Sequence, residues 1–239
     1  MNLLGITLQK FYILMCLLCS FFVIATKLFD SFDEPKLLKR VKTVYGDTGF
    51  ARTEKWLKLL ESSKNDSQWN QLNKVNTFIN NQVSYLNDLS LWGKKDYWAS
   101  PVETLGRGKG DCEDFAIAKF FSLVALGVPE NKLRLMYVRQ LTVNEPHMVL
   151  IYFEAPGKIP LVLDNYDRKI QVASARRDLR PIYSFNGNGL WMAKAKGMGK
   201  KVKNSRGISA WTSLVQRIEE GELNNFHGLE NKQDSYVRN

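Results

Sequence analysis

Hydrophobic and polar positions divide the chain into an apolar N-terminal run, a helical first half and a strand-rich second half. Residues 34–63 read as a helix. In 67–86, Trp69, Leu72, Val75, Phe78, Ile79, Val83 and Leu86 recur at three- and four-residue spacings, the stripe of an amphipathic helix. Residues 88–110 carry Trp92, Tyr97, Trp98 and Pro101, then Gly106, Gly108 and Gly110, which predicts a loop with aromatic anchors tightening into a glycine-rich turn. Segment 112–127 is apolar on every side after its first turn apart from Lys119 and Ser122, as expected of a helix buried at the centre of a domain. Gly127 and Pro129 end it in the usual order.

The period then shortens. Residues 132–141, 147–154 and 160–166 are runs rich in Val, Ile, Leu, Tyr and Phe, separated by Asn-Glu-Pro and Ala-Pro-Gly-Lys. They predict three strands in antiparallel order, with one or two more between 169 and 192. A last amphipathic helix covers 208–221. The fold class is α+β: a helical N-terminal lobe and a buried helix packed on an antiparallel sheet. The domain spans 26–221, and 222–239 is a polar, loose tail.

Residues 11–25 form an uncharged, largely apolar run between Lys10 and Lys27. A bilayer-spanning helix needs about 20 such residues, whereas a signal-peptide core is shorter and ends at small residues such as Val23 and Ala25. Residues 1–25 are therefore an export signal or, if uncleaved, an N-terminal membrane anchor. Either places the protein outside the cytoplasm. Two of the three cysteines, Cys16 and Cys19, lie in this segment, so Cys112 alone remains beyond it. A lone thiol in an exported chain is either a small buried hydrophobe or a nucleophile.

The net charge is +10, and +9 without residues 1–25, whose only charged side chain is Lys10. This suits an anionic surface or an acidic protein, and export excludes nucleic acid as a partner. The basic stretch Lys194 to Arg206 reads as a solvated loop.

Cys112 opens the buried helix, where free N–H groups and the positive dipole end favour a thiolate. Asp111, Glu113 and Asp114 oppose it. His147 begins a strand; the other histidine, His227, lies in the polar tail. Asp164 follows Leu161-Val162-Leu163. A turn centred on 155–157 sets residue 147 opposite 164–167, which brings His147 and Asp164 within reach across a hairpin. Nucleophile, base and orienting carboxylate would then stand together. Alternatively, His147 is a structural residue and Asp164-Asn165 opens a turn.

Arg107-Gly108-Lys109-Gly110-Asp111-Cys112-Glu113-Asp114-Phe115-Ala116 resembles the catalytic motif of the bacterial transglutaminase-like cysteine proteinases. Pro146-His147-Met148-Val149 and Leu163-Asp164-Asn165 are similar to that family's histidine and aspartate segments. The resemblance implies a papain/transglutaminase-like fold and a cysteine endopeptidase with Cys112, His147 and Asp164 as catalytic residues. It implies calcium beside the site, held by Asp111 and Glu113 and less securely by Asp114; helix capping is the other reading of these acids. It also implies a large surface adhesin as substrate, cut near its N-terminus in the periplasm to release the biofilm. An inner-membrane cyclic di-GMP receptor would act as regulator. The competing readings are a transglutaminase or peptidoglycan amidase on the same framework, and a non-catalytic periplasmic binding protein.

Overall fold

The computed structural model describes residues 33–193, 199–203 and 208–219. The expectations for residues 1–25, His227 and the tail 222–239 lie outside them. Helix α1 (Glu34–Ser63) leaves helical geometry at Gly46, where φ is +70°, so the continuous helix expected there is two segments. Helix α2 (Gln68–Gln82) starts at Ser67, whose side chain accepts from the Asn70 N–H. It stops short of the predicted end because residues Ser84–Tyr85 form strand β1. Trp69 of the expected apolar stripe is 53% exposed, while Gln71, Asn76 and Asn80 are buried.

The expected loop over 88–110 is instead largely structured. It contains helix α3 (Asp88–Trp92), helix α4 (Pro101–Arg107) and strand β2 (Lys109–Gly110), which pairs parallel with β1. Ser100, Pro101 and Glu103 make a capping box with proline in the first turn, a local signal that the glycines overshadowed. Gly106 lies inside α4. Gly108 caps it at φ +64°, a left-handed conformation that glycine adopts without strain.

Helix α5 (Cys112–Ala125) is buried from Asp114 to Leu123 and packs on α2, α4 and the central strands of a sheet. A 3₁₀ turn at Glu130–Lys132 leads into β3 (Leu133–Gln140), β4 (Glu145–Tyr152), β5 (Leu161–Leu163) and β6 (Gln171–Val172). A second 3₁₀ turn, Ala173–Ala175, precedes β7 (Leu179–Asn186), β8 (Gly189–Met192) and β9 (Lys200–Lys203). Helix α6 (Ser209–Glu219) follows. The seven strands lie in the order β6-β5-β4-β3-β7-β8-β9, with every neighbouring pair antiparallel.

Strand β9 falls within the basic stretch read as a loop. Lys-Lys-Val-Lys shows no apolar alternation, and its position at the end of the sheet, beside β8, asks for none. The pleat sorts the remaining side chains. Leu135, Leu150, Leu163 and Phe185 occupy one face, where Phe185 meets Trp98 and Trp211. Val138, Val149, Ile151, Phe153 and Val162 form a second apolar cluster on the other face.

Candidate active site

The Cys112 sulfur sits at the first turn of α5. The preceding Gly110 has no side chain because Asp114 folds back there: a Cβ at Gly110 would lie 2.7 Å from the Asp114 carboxylate. Both Asp114 oxygens are engaged, one by the Ala99 N–H at 2.8 Å and the other by the Asp111 N–H at 3.2 Å. Asp114 is thus a helix cap. Asp111 is the N-cap residue and shares a capping box with Asp114, yet its Oδ1 is buried with no hydrogen-bond partner, and Glu113 Oε2 accepts from the Cys112 thiol at 3.0 Å.

Burial pushes the Cys112 thiol well above its usual range, with Glu113 and Asp111 adding to the rise. The Met148 backbone N–H, directed at the sulfur, works the other way. Without a cation, burial and carboxylates outweigh the helix terminus that sequence suggested would favour a thiolate.

Met148 follows His147 in β4. The β4–β5 register pairs Leu150 with Leu163, so its continuation would set residue 149 opposite 164. His147 and Asp164 are then diagonal neighbours on one face. His147 Nε2 lies 2.8 Å from Asp164 Oδ1, and both residues are buried. Tyr166 donates its N–H to the same oxygen at 3.0 Å, and its ring stands edge-on to the imidazole.

Asp164 has three further anchors that sequence reading missed. Arg176 Nη2 donates to Oδ2 at 2.7 Å, while its Nε and Nη2 also hold Asp178. Asn80 of α2 and Lys119 of α5 donate to the Asp164 backbone carbonyl at 2.9 and 3.0 Å. Burial alone would raise the Asp164 carboxyl. Its bonds to His147, Tyr166 N–H and Arg176 overcome this and hold it well below the usual carboxylate range. A buried lysine inside an apolar helix was the one available sign of such a polar anchor.

A second constellation adjoins the thiol. Ligand atoms within 4.8 Å of one another occur in three sets: Asp111, Cys112 and Glu113; Asp88, Asp111 and Asp114; and Asp88, Asp96 and Glu113. Asp88 and Asp96 come from the segment read as a loop. Asp88 Oδ2 accepts from the Tyr97 N–H, but its Oδ1 is buried without a partner, as is Asp111 Oδ1. Burial raises Asp88 to about 6 despite the Tyr97 N–H, with Glu113 and Asp96 contributing. Burial and the neighbouring Glu113, Asp114 and Asp88 raise Asp111 to about 10. Two orphaned carboxylate oxygens in a crowd of like charges fit a hard divalent cation.

A thiol on a buried helix, set against a strand that carries a histidine–carboxylate pair, defines a cysteine enzyme of the transglutaminase-like class. The family model for the bacterial transglutaminase-like cysteine proteinases matches residues 52–178, and the chain belongs to that family. It is 44% identical to LapG of Legionella pneumophila, over 77% of this chain and 96–98% of that one. TM-scores are 0.68 for the EGTA-treated form of LapG and 0.66 for the calcium-bound form. No curated protein matches the chain.

Proposed function

We propose that the protein is a periplasmic, calcium-dependent cysteine endopeptidase with Cys112 as nucleophile, His147 as base and Asp164 as the orienting carboxylate. The observation that carries this reading is the 2.8 Å contact between His147 Nε2 and Asp164 Oδ1, one residue from the N–H facing the Cys112 sulfur. Because Nε2 donates to Asp164, Nδ1 is left to accept the thiol proton. The thiolate attacks the peptide carbonyl, and backbone N–H groups at the start of α5 stabilise the oxyanion. His147 returns its proton to the leaving amine and then activates the water that releases the acyl group.

Asp111, Glu113, Asp88 and Asp96 are the side chains that would hold calcium; the cap Asp114 already has both oxygens committed. Calcium, when bound, supplies positive charge that offsets the carboxylates opposing the Cys112 thiolate. The calcium-bound form of the similar LapG supports this assignment.

The substrate in this reading is a large surface adhesin, cleaved near its N-terminus so that the cell leaves the biofilm. An inner-membrane cyclic di-GMP receptor is the regulator, and residues 1–25 deliver the chain to the periplasm as a signal or anchor. These parts rest on the family resemblance. The test is cleavage of an adhesin N-terminal fragment by wild type and Cys112→Ala, each with calcium and with EGTA. Cleavage only by calcium-loaded wild type is expected. Cleavage by Cys112→Ala would overturn the nucleophile, and undiminished cleavage in EGTA would overturn the calcium requirement.

A further inference from the structure

The active site has an unused strand edge beside its nucleophile. In the β1–β2 ladder, Ser84 N–H donates to the Gly108 carbonyl at 3.0 Å and Leu86 N–H to the Gly110 carbonyl at 2.9 Å. The intervening residue therefore points its own N–H and C=O away from β2. That residue is Tyr85. Among the described residues no strand pairs with this second edge of β1, since the sheet order is β1-β2 alone. Tyr85 is 64% exposed.

The edge is also correctly placed. Tyr85 pairs with Gly110, two residues before Cys112. Apart from burial, the groups that raise the Tyr85 hydroxyl are Cys112, Asp111, Glu113 and Glu145. The residue thus lies beside the start of α5, which carries Cys112, and within electrostatic reach of Glu145 at the start of β4, the strand that carries His147. An unpaired edge normally invites pairing with another chain and is blunted by charge, proline or cover. This one is left open at the mouth of the site.

We infer that Tyr85 is the backbone docking point for an extended substrate chain, forming a two-hydrogen-bond antiparallel bridge with a single residue on the N-terminal side of the scissile bond. In an antiparallel pairing the N–H and C=O of one strand residue, which point the same way, exchange both bonds with one partner residue. Such strand addition gives affinity through the main chain and is indifferent to most side chains. The ligand class is accordingly an unfolded or extended segment of a protein. A folded strand, whose backbone groups are already paired, is excluded. Tyr85 is a positioning residue; it takes no part in bond breaking.

This inference rests on Cys112 being the nucleophile, and the experiment separates the two. Calcium-loaded protein is alkylated with acetyl-Ala-Ala-Ala chloromethyl ketone, with iodoacetamide as a probe that needs no docking. Alanine keeps side-chain recognition minimal. Each alanine amide is N-methylated in turn, and labelling of Cys112 is followed by mass spectrometry. N-methylation at one position alone should slow labelling about tenfold, the scale of a single hydrogen bond, with the iodoacetamide rate unchanged. Tyr85→Pro should lose that position dependence, and Tyr85→Ala, which keeps the backbone N–H, should retain it. Equal tolerance of methylation at all three positions overturns the docking edge while leaving the nucleophile standing. Failure of both reagents to label Cys112 overturns both.

Discussion

Asp164 presents one carboxylate oxygen to His147 at 2.8 Å and the other to Arg176 at 2.7 Å, and both partners donate. The carboxylate is thereby held ionised and fixed in rotation. Lys119 and Asn80 fix the backbone of the same residue. The orientation of His147 is thus determined by α2, α5 and the turn before β7 together.

Removing Arg176 tests the outer half of this arrangement. Arg176→Leu leaves Asp164 buried without its second partner and should destabilise the fold by about 3 kcal/mol, measured by denaturant unfolding. Peptidase kcat should fall with little change in KM. Arg176→Lys should restore stability better than activity, because a lysine cannot span Asp164 and Asp178 with a planar fork.

Asp164→Asn replaces an acceptor-only group with one oxygen and one amide. His147 and Arg176 both need an acceptor, so one contact becomes donor against donor. Turnover should fall at least about 100-fold, by analogy with the amide variant of a triad carboxylate. Retained turnover would show that His147 is oriented by other groups.

The acidic cluster gives a pH dependence with a defined sign. The folded Asp88 titrates at about 6, above its ordinary value near 3.8. The folded state therefore binds the extra proton between these values, and ion-free protein should lose stability as pH rises from about 4 to about 6. Asp88→Asn should make that decline shallower, leaving the share that the raised Asp111 carboxyl contributes. It should also shrink the rise in Tm that calcium gives over EGTA, since stabilisation by a ligand follows its affinity.

Lys119 makes the opposite prediction in a different window. Burial lowers it to about 7 from 10.5, although the Asp164 charge partly counteracts this. Between these values the unfolded state binds more protons, so wild type should gain stability relative to Lys119→Met as pH rises from about 7 to about 10. Thermal unfolding of both proteins across that range measures it, and parallel curves would show that Lys119 does not titrate there.

Hydrophobic periodicity by itself determined the order of the large elements, because α2, α5 and strands β3 to β5 each bury an apolar face and must advertise it. The buried character of α5 was legible from its all-round apolar surface, and the spacing of 147 and 164 about a turn was enough to bring His147 near Asp164. Helix α4 was equally local, in the Ser100–Glu103 capping box, and was missed because three glycines pointed to a loop. The rest belongs to tertiary structure alone. Asp88, Asp96 and Arg176 stand in segments with no periodic signal, and the groups they meet at the site, Asp111, Glu113 and Asp164, lie on other elements. Arg176 reaches Asp164 only after the chain has formed β6 and turned. Asp88 approaches Asp111 only because β1 pairs parallel with β2. Strand β9 exists because β8 offers an edge, not because Lys200 to Lys203 prefer to extend. Local pattern fixes what a segment must bury; which charges then face one another depends on how the buried surfaces close.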